Sequence, residues 1–120
     1  MQLLFEQLEE GGRVTEGLGL IPGHIVKLDT GDLPSPHMGW NQLTLNQSDP
    51  ILDDVSAGDY AYFVHSFAAP VTEHVIASSQ YGEAFAAIVR RDNIYGCQFH
   101  PERRSATGAK ILANFLKVTP

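Results

Sequence analysis

Residues 1–10 place Met1, Leu4, Phe5 and Leu8 at the i, i+3, i+4, i+7 spacing of a helical stripe, with Glu6, Glu9 and Glu10 outside it. The pattern predicts a helix that Gly11-Gly12 stops. Nothing ahead of Met1 is available to cap it, so the helix is expected to belong to a chain cut just upstream. Leu18–Ile21 and Ile25–Leu28 read as two strands joined by a Pro22-Gly23 turn. Residues 31–36 read as loop, and Trp40, between Gly39 and Asn41, is assigned to loop as well. Leu43-Thr44-Leu45 alternates like a half-buried strand, and residues 46–58 are polar and turn-rich, with room for one helical turn. Tyr60–Val64 is a strand that ends at His65-Ser66-Phe67. Glu73–Ser78 and Ala84–Arg90 pair about Tyr81-Gly82, and Asp92-Asn93 turns the chain into a strand over Ile94–Phe99. A last helix, capped by Ser105 or Thr107, puts Ile111, Leu112, Phe115 and Leu116 on its inner face.

The order is helix, strands in hairpins, helix. It lacks the repeated βαβ units of a complete doubly wound domain and reads as the later half of an α/β domain. The expected architecture is a partial three-layer arrangement: a mixed sheet with antiparallel hairpins, two helices, and an apolar sheet face near residue 1 left uncovered.

Composition narrows the class. At 120 residues the chain holds one domain at most. A net charge of -6, with the basic residues dispersed, argues against a nucleic-acid footprint. There is no apolar run long enough for a membrane span, and no basic leader of a signal peptide. The single cysteine excludes an internal disulfide framework and suits the cytoplasm. The five histidines match no metal-ligand spacing, and neither metal nor cofactor is expected.

The stretch richest in chemistry is Tyr95-Gly96-Cys97-Gln98-Phe99-His100-Pro101-Glu102. It reads as a strand stopped by Pro101, which has no N–H for a ladder and biases His100 toward extended backbone. His100 then stands at a strand end with Glu102 two residues on. A carboxylate on one ring nitrogen fixes the tautomer and leaves the other nitrogen as a base. The pair is either two-thirds of a nucleophile–His–acid triad or a structural salt bridge. Strand alternation sends Cys97 to the face opposite His100, where it reads as a small buried hydrophobe. No Gly-x-Ser-x-Gly or Gly-x-Cys-x-Gly elbow occurs in the chain. His65 fits either a catalytic role or a structural hydrogen bond.

Gln98-Phe99-His100-Pro101-Glu102 resembles the His–Glu motif of class I, triad-type glutamine amidotransferases. Four further stretches are similar to the glutaminase subunits of imidazole glycerol phosphate synthase within that class. They are Met1–Phe5, Gly17–Gly23, Pro36–Asn41 and Tyr62–Ser66. The similarity runs through nearly the whole chain. It implies a flavodoxin-like α/β fold, with residues 1–120 forming the C-terminal part of one amidotransferase domain. In the family the cysteine elbow lies immediately before the segment matching Met1–Phe5. The resemblance therefore implies a chain without its nucleophile and oxyanion loop, inactive alone.

By the same resemblance, His100 is the general base and Glu102 the residue that orients it. Gln2 and Glu10 lie near bound L-glutamine, and Ser66 and Phe67 belong to the loop holding its α-amino and carboxylate groups. His37, Met38, Trp40 and Asn41 face a (β/α)₈-barrel synthase subunit that uses the ammonia for L-histidine biosynthesis. Cys97 departs from the family pattern, where a larger apolar residue is usual, and so does Arg103-Arg104. The alternatives are the glutaminase of another amidotransferase of the class, or a non-catalytic protein that keeps the partner-binding surface.

Overall fold

The computed structural model describes residues 1–10, 13–92, 94–101 and 106–118. Its strands are β1 (Phe5–Glu10), β2 (Arg13–Glu16), β3 (Ile21–Lys27), β4 (His37–Gln42), β5 (Thr44–Leu45), β6 (Tyr60–His65), β7 (Phe67–Ala68), β8 (Val75–Tyr81), β9 (Glu83–Arg91) and β10 (Ile94–Cys97). One α-helix, α1 (Ala106–Val118), follows them. Two 3₁₀ turns cover Gln2–Leu4 and Pro50–Leu52.

The middle of the molecule is the sheet β10-β9-β8-β5, antiparallel throughout. Val75–Ser79 on β8 and Phe85–Val89 on β9 are buried at every position, because apolar groups cover both faces. On one side, Phe5, Ile21 and Ile25 of the sheet β2-β1-β3-β7 pack with Val75, Ala86 and Val89. On the other, Phe63, Phe85, Ile88, Phe99 and Ile111 join Ile51 and Leu43 in a larger core. The short sheet β4-β6 borders that second core. The result is three layers of mixed sheet and helix, with β1 and β3 parallel and the remaining pairs antiparallel. One outer layer is a sheet where helices were expected.

Several local expectations are corrected. Residues 1–10 form a 3₁₀ turn and a strand rather than a helix. A helix this short is marginal unaided, whereas pairing with β3 and β2 satisfies its backbone and buries Phe5 fully. Pro22-Gly23 does not reverse the chain but sits inside β3 as a bulge. Phe5 pairs Ile21 and Gln7 pairs His24, so two steps on β1 oppose three on β3, and Gly23 takes φ 128°. His37–Gln42 is a strand paired with β6, not a loop. The last helix faces the core with Thr107, Ile111 and Asn114, while Leu112 and Leu116 point outward and Phe115, partly exposed, meets the Tyr95 ring edge-on with centres 6.0 Å apart. Thr107 lies within the helix, so it is not the cap, and Ser105 is outside the described residues.

The helix is turned this way by polar demands. Asn114 Nδ2 donates to the carbonyls of Ile51 and Asp53, at 2.9 and 2.8 Å. Lys110 Nζ donates to the Asp54 carbonyl at 2.8 Å. The Ile51 carbonyl, in the 3₁₀ turn at Pro50–Leu52, is the buried one, and leaving it unpaired would cost more than exposing a leucine.

Asp49 starts the same turn. Its Oδ1 accepts from the Ile51 N–H at 3.0 Å and from the Tyr95 hydroxyl at 3.1 Å, and its Oδ2 from Arg90 Nη1 at 2.6 Å. The guanidinium lies 5.2 Å from the Tyr95 ring centre. One buried carboxylate thus ties the loop to β9 and β10. Replacing it leaves Arg90 half-exposed and screened, so most of the loss comes from the cap and the tyrosine. Asp49→Ala is expected to lower unfolding free energy by about 2–3 kcal/mol, read from urea denaturation. Asp49→Asn, which retains the cap acceptor, is expected to lose roughly half of that.

Candidate active site

β10 ends at Cys97, earlier than the sequence pattern suggests. Gln98 N–H still donates to the Ala87 carbonyl at 2.8 Å, but His100 N–H crosses to the Tyr62 carbonyl on β6 at 3.1 Å. The segment from Cys97 to His100 therefore bridges the central sheet and β6. Because regular pleating stops at Cys97, strand alternation no longer separates Cys97 from His100. Both line a cleft of about 450 Å³ with Met1, Gln2 and Gln98. Cys97 also packs partly against the main core, so the reading as a small hydrophobe holds for that contact only. A larger open depression of about 660 Å³, over residues 45–53, holds none of the expected groups.

The 3₁₀ turn at Gln2–Leu4 forms one wall of the cleft. It seats against β10 because residue 96 is glycine: a Cβ there would lie 2.9 Å from both Met1 Cγ and Leu4 Cδ1. The seat places Gln2 Nε2 3.0 Å from the Phe67 carbonyl and 3.0 Å from Gln98 Oε1. Phe67 opens β7, one residue past the end of β6, and the intervening Ser66 is fixed by its own carbonyl, which accepts from Leu28 N–H at 2.9 Å. Gln2, Gln98 and His100 thus line one cleft, and Phe67 is tied to it through its carbonyl on Gln2.

The backbone of Glu10 stands at the far end of β1 from the turn that holds Gln2. The backbone runs from the cleft along β1, five residues from Phe5 to Glu10, or roughly 16 Å of strand. Glu10 ends up paired with Arg13 at the hairpin end. Glu102, the expected orienting carboxylate, lies outside the described residues.

On β4 the pleat alternates: His37 is buried and Asn41 half-buried, while Met38 and Trp40 are 63% and 50% exposed. His37 and Asn41 are therefore turned inward, contrary to a surface role, and only Met38 and Trp40 present side chains outward. Trp40 rests edge-on against Tyr62, with ring centres 5.4 Å apart. The signal was in the sequence, since period-two spacing of 37, 39 and 41 predicts a shared face once the segment is read as a strand.

His37 stacks on Tyr81 with ring centres 4.0 Å apart, and its Nδ1 lies 3.0 Å from His65 Nε2. His65 Nδ1 lies 3.0 Å from the Phe67 carbonyl. A carbonyl only accepts, so His65 carries its proton on Nδ1, and its bare Nε2 accepts from His37 Nδ1–H. His37 Nε2 then faces Asn41 Nδ2 at 3.5 Å, and Asn41 Nδ2 also donates to the Gln80 carbonyl at 2.8 Å. The polarity runs one way from Asn41 through both imidazoles to Phe67. Burial and the neighbouring His65 lower the His37 pKa to about 4, and burial also lowers that of His65. Both rings are neutral near pH 7.

The family profile described as glutamine amidotransferase class-I matches residues 1–118. The imidazole glycerol phosphate synthase subunit HisH of Vibrio parahaemolyticus is 48% identical over 98% of this chain and 60% of its own length. The subunits of that name from Colwellia psychrerythraea and Idiomarina loihiensis are each 48% identical, over 98% and 99% of this chain and 58% and 59% of theirs. The chain spans about 60% of the length of the curated relatives it matches.

The neutral histidine pair gives stability a definite pH dependence. His37 titrates near 6.5 unfolded and about 4 folded, so between those values the unfolded state binds more protons. Stability is complete above pH 6.5 and falls as pH drops toward 4, by roughly 3 kcal/mol at most. The ionisable side chains facing His37 are His65 and Tyr81. Urea midpoints measured from pH 8 to 4 are expected to decline, with the decline flattened in His37→Asn.

Proposed function

The chain belongs to the class-I glutamine amidotransferase family, and from that premise we propose that it serves the glutaminase side of imidazole glycerol phosphate synthase. In this reading residues 1–120 are part of one amidotransferase domain, and the protein releases ammonia from L-glutamine for a (β/α)₈-barrel synthase subunit in L-histidine biosynthesis. The observation that carries the reading is the name shared by the relatives, which match the chain from end to end. The cleft supports it, because Gln2, Phe67 and His100 come from distant parts of the sequence and meet there.

The chemistry has a definite division of labour. A cysteine thiolate attacks the side-chain amide carbon of glutamine and forms a tetrahedral oxyanion. His100, as imidazolium, gives a proton to the departing nitrogen, and ammonia leaves behind a thioester. His100 then takes a proton from water as the water attacks the thioester, releasing glutamate and the thiolate. In this reading the thiolate and the oxyanion donors come from outside these 120 residues, and Glu102 orients His100.

Ammonia released into water would take up a proton, so the product needs a covered route to its acceptor. Met38 and Trp40 support a contact there, as adjacent outward positions on β4 beside β6, the strand that holds His100 through Tyr62.

Glutamate release from L-glutamine is expected to be absent for the 120 residues alone. It is expected to appear when a segment with a Gly-x-Cys-x-Gly elbow is joined ahead of Met1 and the synthase subunit is present. His100→Ala in that joined form is expected to lower kcat by roughly 10³-fold or more. Turnover by the 120 residues that disappears in Cys97→Ser would instead make Cys97 the nucleophile and overturn the reading. Trp40→Ala is expected to weaken binding of the synthase subunit about tenfold or more, as a large aromatic anchor does, with the thermal midpoint little changed.

A further inference from the structure

We propose that His65, held in one tautomer by His37, is a positioning residue of the cleft: it fixes the Phe67 carbonyl and thereby aims the Gln2 carboxamide so that an acceptor oxygen faces the ligand. The argument is one of donors and acceptors. The Phe67 oxygen receives two hydrogen bonds, from His65 Nδ1 and from Gln2 Nε2, each at 3.0 Å. The contacting atom of Gln2 must therefore be its nitrogen, and the second hydrogen on that nitrogen goes to Gln98 Oε1. Both amide hydrogens of Gln2 are committed within the protein. What remains is Oε1, which can only accept, so the group it recognises is a donor such as a primary ammonium or an amide NH₂.

His37 enters because His65 has two ring nitrogens and one proton. With a donor at Nε2 and a carbonyl at Nδ1, a single tautomer satisfies both sides. Remove the His37 donor, and His65 is free to place its proton on Nε2, withdraw from Phe67, and let the Gln2 carboxamide rotate. The assignment of Oε1 to a ligand rests on the glutaminase reading, in which the donor is the α-ammonium or amide of glutamine. The lock itself does not depend on that reading.

The test uses the ¹⁵N-labelled 120-residue chain without ligand. Long-range ¹H–¹⁵N correlations at pH 7.5 are expected to show His37 and His65 each protonated at Nδ1 and bare at Nε2. The Gln2 side-chain NH₂ pair is expected to be shifted away from the positions of solvent-exposed glutamines and slow to exchange. His65→Asn keeps a donor where Nδ1 stood and should retain the Gln2 signature, whereas His65→Gln should lose it. His37→Asn should keep the His65 tautomer, and His37→Leu should mix it. Should His37→Leu fail to fold, the wild-type tautomers and the Asn and Gln pair at position 65 still decide the matter. A His65 protonated at Nε2, or a Gln2 signature equal in His65→Asn and His65→Gln, overturns the proposal. Since no glutamine is added, failure here leaves the proposed reaction standing, and failure of the glutaminase assay leaves this lock standing.

Discussion

The carbonyl oxygen of Phe67 accepts hydrogen bonds and has nothing to donate, and that restriction propagates through much of the polar interior. From it the proton of His65 is assigned, then that of His37, then the orientation of the Gln2 and Gln98 amides. The groups in this chain come from residues 2, 37, 41, 65, 67 and 98, so it joins both ends of the sequence through the middle. Within a low-dielectric interior such a network is stabilising only when every member is paired, and a gap costs about 1–3 kcal/mol for the orphaned group. Among the described residues no buried side-chain donor or acceptor is left without a partner. The site is therefore specified by directionality as much as by shape, and a chemically similar residue that reverses one donor disturbs all those after it.

The second polar centre, Asp49, works differently. It gathers three donors on one carboxylate and fastens a loop to β9 and β10, with no directional consequence beyond its own contacts. The two centres lie on different elements and divide the molecule's polar demands: Asp49 and Asn114 close the loop beneath α1, whereas the histidine pair closes the gap between β4, β6 and β7. The strands β8 and β9 supply the buried runs Val75–Ser79 and Phe85–Val89, against which both cores pack.

Much of this was legible in the sequence. The hairpin of β8 and β9, the turn at residue 92 and the strand at Tyr60–His65 follow from β-branched and aromatic runs set between turn residues. Other elements were misread wherever periodicity of apolar residues was trusted over backbone bonding. Met1, Leu4, Phe5 and Leu8 fit a helical stripe, yet strand pairing satisfies more backbone groups there. Leu112, Phe115 and Leu116 fit an inner face, yet the carbonyls at residues 51, 53 and 54 turn Lys110 and Asn114 toward them. For the site, the strand-end motif pointed to His100 and the family resemblance to Gln2 and Phe67, but neither supplied Gln98. Gln98 meets Gln2 across 96 residues of chain, and no local pattern encodes that.

Gly96 carries a different kind of information. The wall of the cleft is seated on a place where a side chain is missing, since any Cβ at residue 96 would press on Met1 and Leu4. β10 is the edge of its sheet and half-buried throughout, and valine or isoleucine would ordinarily suit such a strand. That gain competes with the seat for Gln2, because the Met1 and Leu4 side chains would have to move aside. The space at residue 96 therefore acts as a complementary mould for the first turn of the described chain, so that change at either end is constrained by the other: a bulkier residue at 96 calls for Met1 and Leu4 to shift or shrink with it. Residues 1, 4 and 96, remote in sequence and without a reactive side chain among them, are in this way expected to vary as a unit.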